Sequence, residues 1–138
     1  MTRASTLPPS SGVRLRVLLV EDSEPLRRSM ARALKKQFTV VEACDGEAAV
    51  DRVREHAARG ESFDVLVTDL EMPNMNGREA LAEISKIAPE LAEKSIVVTG
   101  GAKDKALAAW LTTLPADRVI TKPADISALR AAIFLLVG

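Results

Sequence analysis

Cysteine is almost absent from this chain of 138 residues. The single Cys44 excludes an internal disulfide and any Cys-based zinc site, as expected of a reducing compartment. Net charge is absent too: Lys and Arg number 19 and Asp and Glu 19, which leaves no bulk charge to draw nucleic acid or an anionic membrane surface. No apolar run approaches the ~18–20 residues of a membrane-spanning helix. The first twelve residues, MTRASTLPPSSG, lack the apolar core of a secretory signal and are rich in Ser, Thr and Pro, so residues 1–13 read as a flexible leader. Neither G-x-G-x-x-G nor a P-loop occurs. What is present is 47% hydrophobic and 28% charged, the balance of a globular chain, and residues 14–138 suffice for one domain with a substantial core. The expectation is a cytoplasmic domain that touches neither nucleic acid nor membrane directly.

Apolar runs of strand length recur at 15–20 (LRVLLV), 38–41 (FTVV), 63–67 (FDVLV) and 95–98 (SIVV), with a weaker RVI at 118–120. The first, third and fourth are continuous rather than alternating, as in strands covered on both faces of a parallel sheet. Helical spacing fills the intervals. Residues 24–36 set Leu26, Met30, Ala33 and Leu34 on one stripe with Arg and Lys elsewhere. Asp45-Gly46 precedes a second helix with Ala49, Val50 and Val53 inward, and Asn76-Gly77 opens a third with Ala80, Leu81 and Ile84. Leu107, Trp110, Leu111 and Leu114 mark a fourth, and Asp125 caps a fifth along Ile126, Leu129, Ile133 and Leu136. Strand and helix alternate five times. That order predicts an α/β domain with right-handed crossovers and helices on both faces, while spacing alone leaves the strand order open. In such sheets ligands sit beyond the carboxyl ends of the strands. The informative residues are those just past each apolar run.

Glu21-Asp22 follow the first run, Asp69 the third, Thr99-Gly100-Gly101 the fourth and Lys122-Pro123 the fifth. If the first and third strands are neighbours, three carboxylates meet at one edge of the sheet, where mutual repulsion pushes at least one pKa upward. A hard divalent cation removes that difficulty: magnesium prefers oxygen ligands, takes only a few carboxylates and keeps several waters. Mg²⁺ is the expected ion, with Mn²⁺ able to stand in. The Thr99 hydroxyl, N–H groups freed by Gly100-Gly101 and the Lys122 ammonium suit the oxygens of a phosphoryl group, whose transfer depends on positioning and charge neutralisation. A carboxylate can be the nucleophile and form an acyl phosphate. Asp69, in the middle of the contributing strands, is the natural acceptor. Taken singly, each residue has an ordinary explanation: Asp69 and Glu21-Asp22 as caps, Thr99 as a partner for a backbone group, Lys122 as a surface charge. Five such elements in order, each at a strand end, outweigh those explanations.

Through Val20-Glu21-Asp22, Asp69-Leu70-Glu71-Met72-Pro73 to Gly77, Thr99-Gly100-Gly101 and Lys122-Pro123, the chain resembles the receiver domains of two-component response regulators, over residues 14–137. The resemblance implies a flavodoxin-like (βα)5 doubly wound sandwich with strand order 2-1-3-4-5. It implies that Asp69 accepts a phosphoryl group from the phosphohistidine of a sensor histidine kinase or phosphotransfer protein. It also implies Mg²⁺ held by Asp22, Asp69 and the backbone carbonyl of Glu71, with Glu21 acting through metal-bound water, Thr99 and Lys122 assisting the transfer, and a cis Lys122-Pro123 bond. Such a domain is a bacterial signalling component and not an enzyme with a separate substrate: it catalyses its own phosphorylation and dephosphorylation and shifts between two conformations. An output partner, unnamed by the sequence, would read the face formed by the fourth helix, fifth strand and fifth helix, where a homodimer is the other expectation. The run VVTGGA, then a helix, then Pro115 ahead of Lys122-Pro123 is similar to receivers attached to hybrid sensor kinases.

Three positions depart from the family pattern. Val119 stands three residues before Lys122 where many receivers carry Tyr or Phe, and the chain has no Tyr, so output by ring rotation is not expected. Ala124 replaces the Phe that often follows Lys-Pro, and that corner must be packed otherwise. Glu71 places a carboxylate near the site mouth, where it is expected to alter access of the hydrolytic water. Other functions fit less well. An aspartyl-phosphate phosphatase of the haloacid dehalogenase kind needs a second Asp where Glu71 stands. A flavin phosphate would be repelled by Glu21-Asp22-Ser23-Glu24. A docking module that is never phosphorylated has no need of the chemical residues, all of which are present. Elsewhere, His56 and the Arg27-Arg28 and Lys35-Lys36 pairs read as solvated, Cys44 as a small packing residue, and Trp110 as part of the core stripe.

Overall fold

The continuous apolar runs become the inner strands of one parallel sheet. The structure is a computed structural model and describes residues 14–138; the leader expected over residues 1–13 lies outside the described residues. Strands β1 (Arg16–Val20), β2 (Thr39–Ala43), β3 (Val65–Asp69), β4 (Ser95–Thr99) and β5 (Val119–Thr121) lie in the order β2-β1-β3-β4-β5, all parallel. Every residue of β3 and β4 is buried, and all but the first of β1, whereas the edge strands β2 and β5 are largely half-exposed. Unbroken apolar sequence thus marks the strands that receive helices on both faces.

Alternate residues of each strand feed two cores. Val17, Leu19, Val65, Val67, Ile96 and Val98 meet Met30 and Leu34 of α1 (Glu24–Leu34) and Leu129 and Ile133 of α6 (Ile126–Val137). Leu18, Val20, Leu66 and Val97 meet α2 (Gly46–Ala58), α3 (Gly77–Ile87) and, through Leu107, α5 (Lys105–Leu111). The helices begin where the sequence supplies caps. Ser23, Asp45, Asp104 and Asp125 each accept a backbone N–H at the N-cap, and Asn76 and Glu79 form a reciprocal capping box.

Several expectations are corrected. A short helix unforeseen from spacing, α4 (Pro89–Glu93), intervenes between α3 and β4. Pro89 lacks the N–H to continue α3 and is well suited to the first turn of a new helix. α5 ends at Leu111, ahead of Leu114, because the Thr112 and Thr113 hydroxyls donate to the Ala109 and Trp110 carbonyls at 2.6 Å each and close its last turn. His56 is buried, not solvated. Its ring packs on Phe63 at a centroid distance of 4.4 Å, and Nδ1 lies 2.9 Å from the Arg52 carbonyl. Cys44 is exposed instead of packed. Arg27 turns inward, whereas Arg28 and Lys35 remain exposed as expected. Trp110 is half-buried against the core, with the Arg78 guanidinium 5.9 Å above its ring. Among the described residues no helix is long and apolar enough to cross a membrane.

Candidate functional site

The sheet order puts the ends of β1, β3, β4 and β5 side by side, with Val20 paired to Thr68, Asp69 to Val98, and Thr99 to Thr121. At β1 the turn is fixed by Ser23, which caps α1, with Pro25 in the first turn of the helix. That turn buries Glu21 and leaves Asp22 exposed. At β3 the chain leaves Asp69 through Leu70 and returns at Gly77, whose N–H donates to the Leu70 carbonyl at 2.7 Å. A Cβ at Gly77 would stand 2.5 Å from the Asp69 carbonyl oxygen, a distance no side chain tolerates. Glycine is required there because two backbones touch.

Asp69 is 7% exposed. Its Oδ1 accepts from the Leu70 N–H at 2.8 Å, and its Oδ2 lies 3.1 Å from Lys122 Nζ. The same ammonium is 3.1 Å from Glu21 Oε1, while Glu21 Oε2 accepts from the Ser23 N–H at 2.9 Å. Carboxylate oxygens of Glu21, Asp22 and Asp69 all fall within 4.8 Å of one another. Thr99 is buried. Its Oγ1 accepts from the Gly101 N–H at 3.0 Å, and its carbonyl accepts the Lys122 N–H at 2.8 Å, which ties β5 to the end of β4. The Lys122-Pro123 peptide is cis.

Three carboxylates therefore cluster where one ammonium pairs with only two of them, Glu21 and Asp69, and the charges do not balance. Burial raises the pKa of Asp69; Lys122 and the Leu70 N–H oppose the rise, and the charge of Asp22 adds to it. Burial likewise raises Glu21, with the Ser23 N–H and Lys122 opposing and Asp69 reinforcing. Burial acts to lower the Lys122 pKa, but its bonds to Asp69 and Glu21 outweigh that, and the net shift is upward. These directions are consistent. The lysine gains two anions, whereas each anion gains only a share of one cation. An all-oxygen cluster with surplus negative charge can hold a hard divalent cation.

Glu71 is the expected site residue whose side chain lies apart. It is exposed, and its Oε2 accepts from the Lys103 backbone N–H at 3.2 Å, which links the loop after β3 to the loop after β4. Ala124, like Leu26 and Ile126, packs against the core that holds Met30 and Val98. An apolar hollow of about 410 Å³, lined by Leu26, Met30, Val98, Lys122, Pro123 and Ala124, opens beside the site. Val119 is half-buried at the start of β5. One positioning residue escaped the sequence reading. Arg27 donates to the Glu21 carbonyl and to Glu42, each at 3.1 Å, and pins the turn after β1 to the end of β2. Its signal was spacing: Arg27, Ala31 and Leu34 fall on the inward side of α1.

The family model for the response regulator receiver domain matches residues 17–134. The chain is 39% identical over 102 residues, 73% of its length, to the sensor kinase CckA of Brucella abortus, but covers only 10% of that protein. It is 36% identical over 86 residues to the response regulator receiver protein CpdR of the same organism, covering 62% of this chain and 66% of that one. A response regulator receiver domain protein from Clostridium thermocellum superposes with a TM-score of 0.73 at 26% identity, over 89% of this chain and 94% of its own. The chain thus spans a tenth of one curated relative and about two thirds of the other. With the strand order, the acidic cluster and the family match in agreement, this chain belongs to the response regulator receiver domain family of two-component signalling.

Proposed function

We propose that residues 14–138 act as a phosphoacceptor switch in the cytoplasm, in which Asp69 takes a phosphoryl group from the phosphohistidine of a sensor histidine kinase or phosphotransfer protein. The observation that carries this is the position of Asp69: a buried carboxylate at the end of the central strand, 3.1 Å from Lys122 and within 4.8 Å of two further carboxylates. An Asp69 oxygen attacks phosphorus, the P–N bond to imidazole breaks, and the bonding pair leaves with the ring. Lys122 follows the transferred charge from the carboxylate to the phosphoryl oxygens, and the Thr99 hydroxyl gives up the Gly101 N–H to donate to the same group. Asp22, Asp69 and the Glu71 backbone carbonyl would hold Mg²⁺, or Mn²⁺, with Glu21 acting through bound water. That ion supplies charge neutralisation for the incoming phosphoryl group.

Asp69 is the phosphorylation site, and Thr99 and Lys122 assist. The switch turns over no separate substrate; only its own phosphorylation and autodephosphorylation are catalysed. Similarity to a sensor kinase supports a place in a phosphorelay attached to or served by such a kinase. Output passes through the face of α5, β5 and α6, without rotation of an aromatic ring at Val119. The test is intact mass after incubation with acetyl phosphate, with and without Mg²⁺, beside Asp69→Asn. A magnesium-dependent gain of one phosphoryl group, absent from the variant, supports the switch. A folded protein that gains none overturns it in favour of a docking module.

A further inference from the structure

We infer that the hollow between α1 and the edge strand β2 binds a compact multivalent oxyanion, one built of linked phosphoryl groups. The hollow has a volume of about 450 Å³ and is lined by Arg27, Arg28, Ala31, Arg32, Lys35 and Glu42. Four cations thus face one carboxylate, on a chain whose formal net charge is zero. Arg14 adjoins them, its Nη2 donating to the Lys35 carbonyl at 2.7 Å. The surplus is local and positive, and cations gathered this closely attract a counter-ion.

The cations differ in how far they are already engaged. Glu42 lies 3.1 Å from Arg27 Nε and 3.6 Å from Lys35 Nζ, so it orients both but neutralises only one. Arg27 is held further by the Glu21 carbonyl at 3.1 Å. Arg28 pairs with Glu24 at 3.5 Å, but the two side chains are 68% and 62% exposed, and such a pair contributes little. Arg32 is exposed, with no carboxylate in ion-pair distance among the described residues. Arg28, Arg32 and Lys35 follow one another at one-turn intervals, which sets neighbouring Cβ atoms about 5–6 Å apart.

That spacing selects the occupant. A single phosphate reaches one pair of cations, whereas linked phosphoryl groups meet Arg28, Arg32 and Lys35 together, with the guanidinium forks bidentate to their oxygens. The wall offers no aromatic ring on which a nucleobase could stack, and no apolar side chain larger than Ala31 to anchor the stripe of a helix. A compact anion is therefore favoured over a nucleic acid or an amphipathic peptide. A second copy would bring the same surplus of positive charge, which disfavours self-association. The hollow shares no residue with the cluster of Glu21, Asp22 and Asp69, and the inference stands independently of the phosphoryl-transfer reading.

The test titrates tripolyphosphate into the full chain by calorimetry, in buffer freed of divalent cations by a chelating resin so that no metal draws the anion to the acidic cluster. Arg28→Ala and Arg32→Ala are each expected to weaken binding about tenfold, with melting curves showing that each variant stays folded. Lys105→Ala, which removes an exposed lysine of α5, is expected to leave binding unchanged. No binding up to ~1 mM, or an equal loss in Lys105→Ala, overturns the inference. Citrate binding as tightly as tripolyphosphate overturns it in favour of charge alone. Arg32-dependent binding of a poly-glutamate peptide, tighter than that of tripolyphosphate, overturns it in favour of an acidic protein segment. Arg32-dependent capture on vesicles of phosphatidylglycerol, without binding of free tripolyphosphate, overturns it in favour of a lipid headgroup.

Discussion

Lys122 Nζ lies 3.1 Å from Asp69 Oδ2, across 53 residues of sequence, and at the same distance from Glu21. One ammonium therefore sits between two buried carboxylates. Replacing it with the uncharged, similarly long methionine removes the cation that balances the resting carboxylates and, in the proposed transfer, the incoming phosphoryl group. Lys122→Met is expected to slow phosphoryl uptake from acetyl phosphate about 10²–10³-fold, the usual effect of removing one electrostatic contact to a developing charge. Uptake at the wild-type rate would mean that Lys122 is only structural.

The raised pKa values of Asp69 and Glu21 carry a definite sign. A carboxyl whose folded pKa lies above its unfolded one stabilises the fold fully only below the ordinary value of about 4, and that contribution is lost as pH rises through the folded pKa. In EDTA, Asp69→Asn avoids the loss at its own position. Its Tm advantage over wild type should therefore grow between pH 4 and pH 7. A difference that stays constant with pH would rule out carboxylate burial as the cause.

A divalent cation relieves the same surplus of charge, so Mg²⁺ should raise Tm, with a gain that grows as the logarithm of its concentration above Kd. At ten times Kd the gain is about 1.4 kcal/mol, or about 4 °C for a domain of this size. Asp22→Asn removes one oxygen donor from the cluster and should abolish most of the shift. An equal Mg²⁺ response in wild type and variant, by scanning calorimetry, would place the ion elsewhere.

Gly77→Ala drives a methyl into the Asp69 carbonyl, which must move. The expected loss is about 2–3 kcal/mol of stability, together with slower phosphoryl uptake, because the displaced backbone carries Asp69, the proposed acceptor. Gly60→Ala is the control. Gly60 has φ +72° and open space around it, so an alanine there is strained by about 1 kcal/mol without approaching the site. Denaturant unfolding and phosphorylation rates together separate the two effects.

Arg118 staples the approach to β5 onto β4. Its Nε donates to the Ser95 carbonyl at 2.7 Å, and Nη2 donates to Ser95 Oγ at 2.5 Å and to the Ala92 carbonyl at 3.1 Å. Arg118→Ala takes the donor from the Ser95 carbonyl, while the Ala92 carbonyl keeps the Ser95 hydroxyl at 2.8 Å, and should cost about 2 kcal/mol, lowering Tm by roughly 6 °C. Arg118→Lys should recover little, since one ammonium cannot reproduce the fork. A loss below 0.5 kcal/mol, about half of one ordinary hydrogen bond, would show that water replaces the contacts.

Much of the fold was legible because its signals are local. Val65 to Val67 and Ile96 to Val98 read as doubly covered strands, and Asp45, Asn76 and Asp125 stand at the helix starts they announced. The misses have local competitors. α4 was hidden because five residues are too short for a periodic signal, and Ala88-Pro89 reads equally well as a turn. His56 looked solvated from its place on the polar side of its helix, but Phe63, in the loop before β3, covers its ring.

The sequence by itself determined the order of the five strands and of the five longer helices, and the chemical groups that end the strands: Glu21-Asp22, Asp69, Thr99 and Lys122. Those follow from periodicity and from residue type at a boundary, which neighbours along the chain establish. Only the tertiary structure decided that β1 lies beside β3, that Lys122 bridges Glu21 and Asp69, that Glu71 turns to Lys103, and that Arg27 turns inward to hold the Glu21 carbonyl. Such contacts join residues 6 to 101 positions apart, from Arg27 and Glu21 to Lys122 and Glu21. Spacing cannot rank them, because they depend on which strand edges pair and on which faces of the sheet the helices cover.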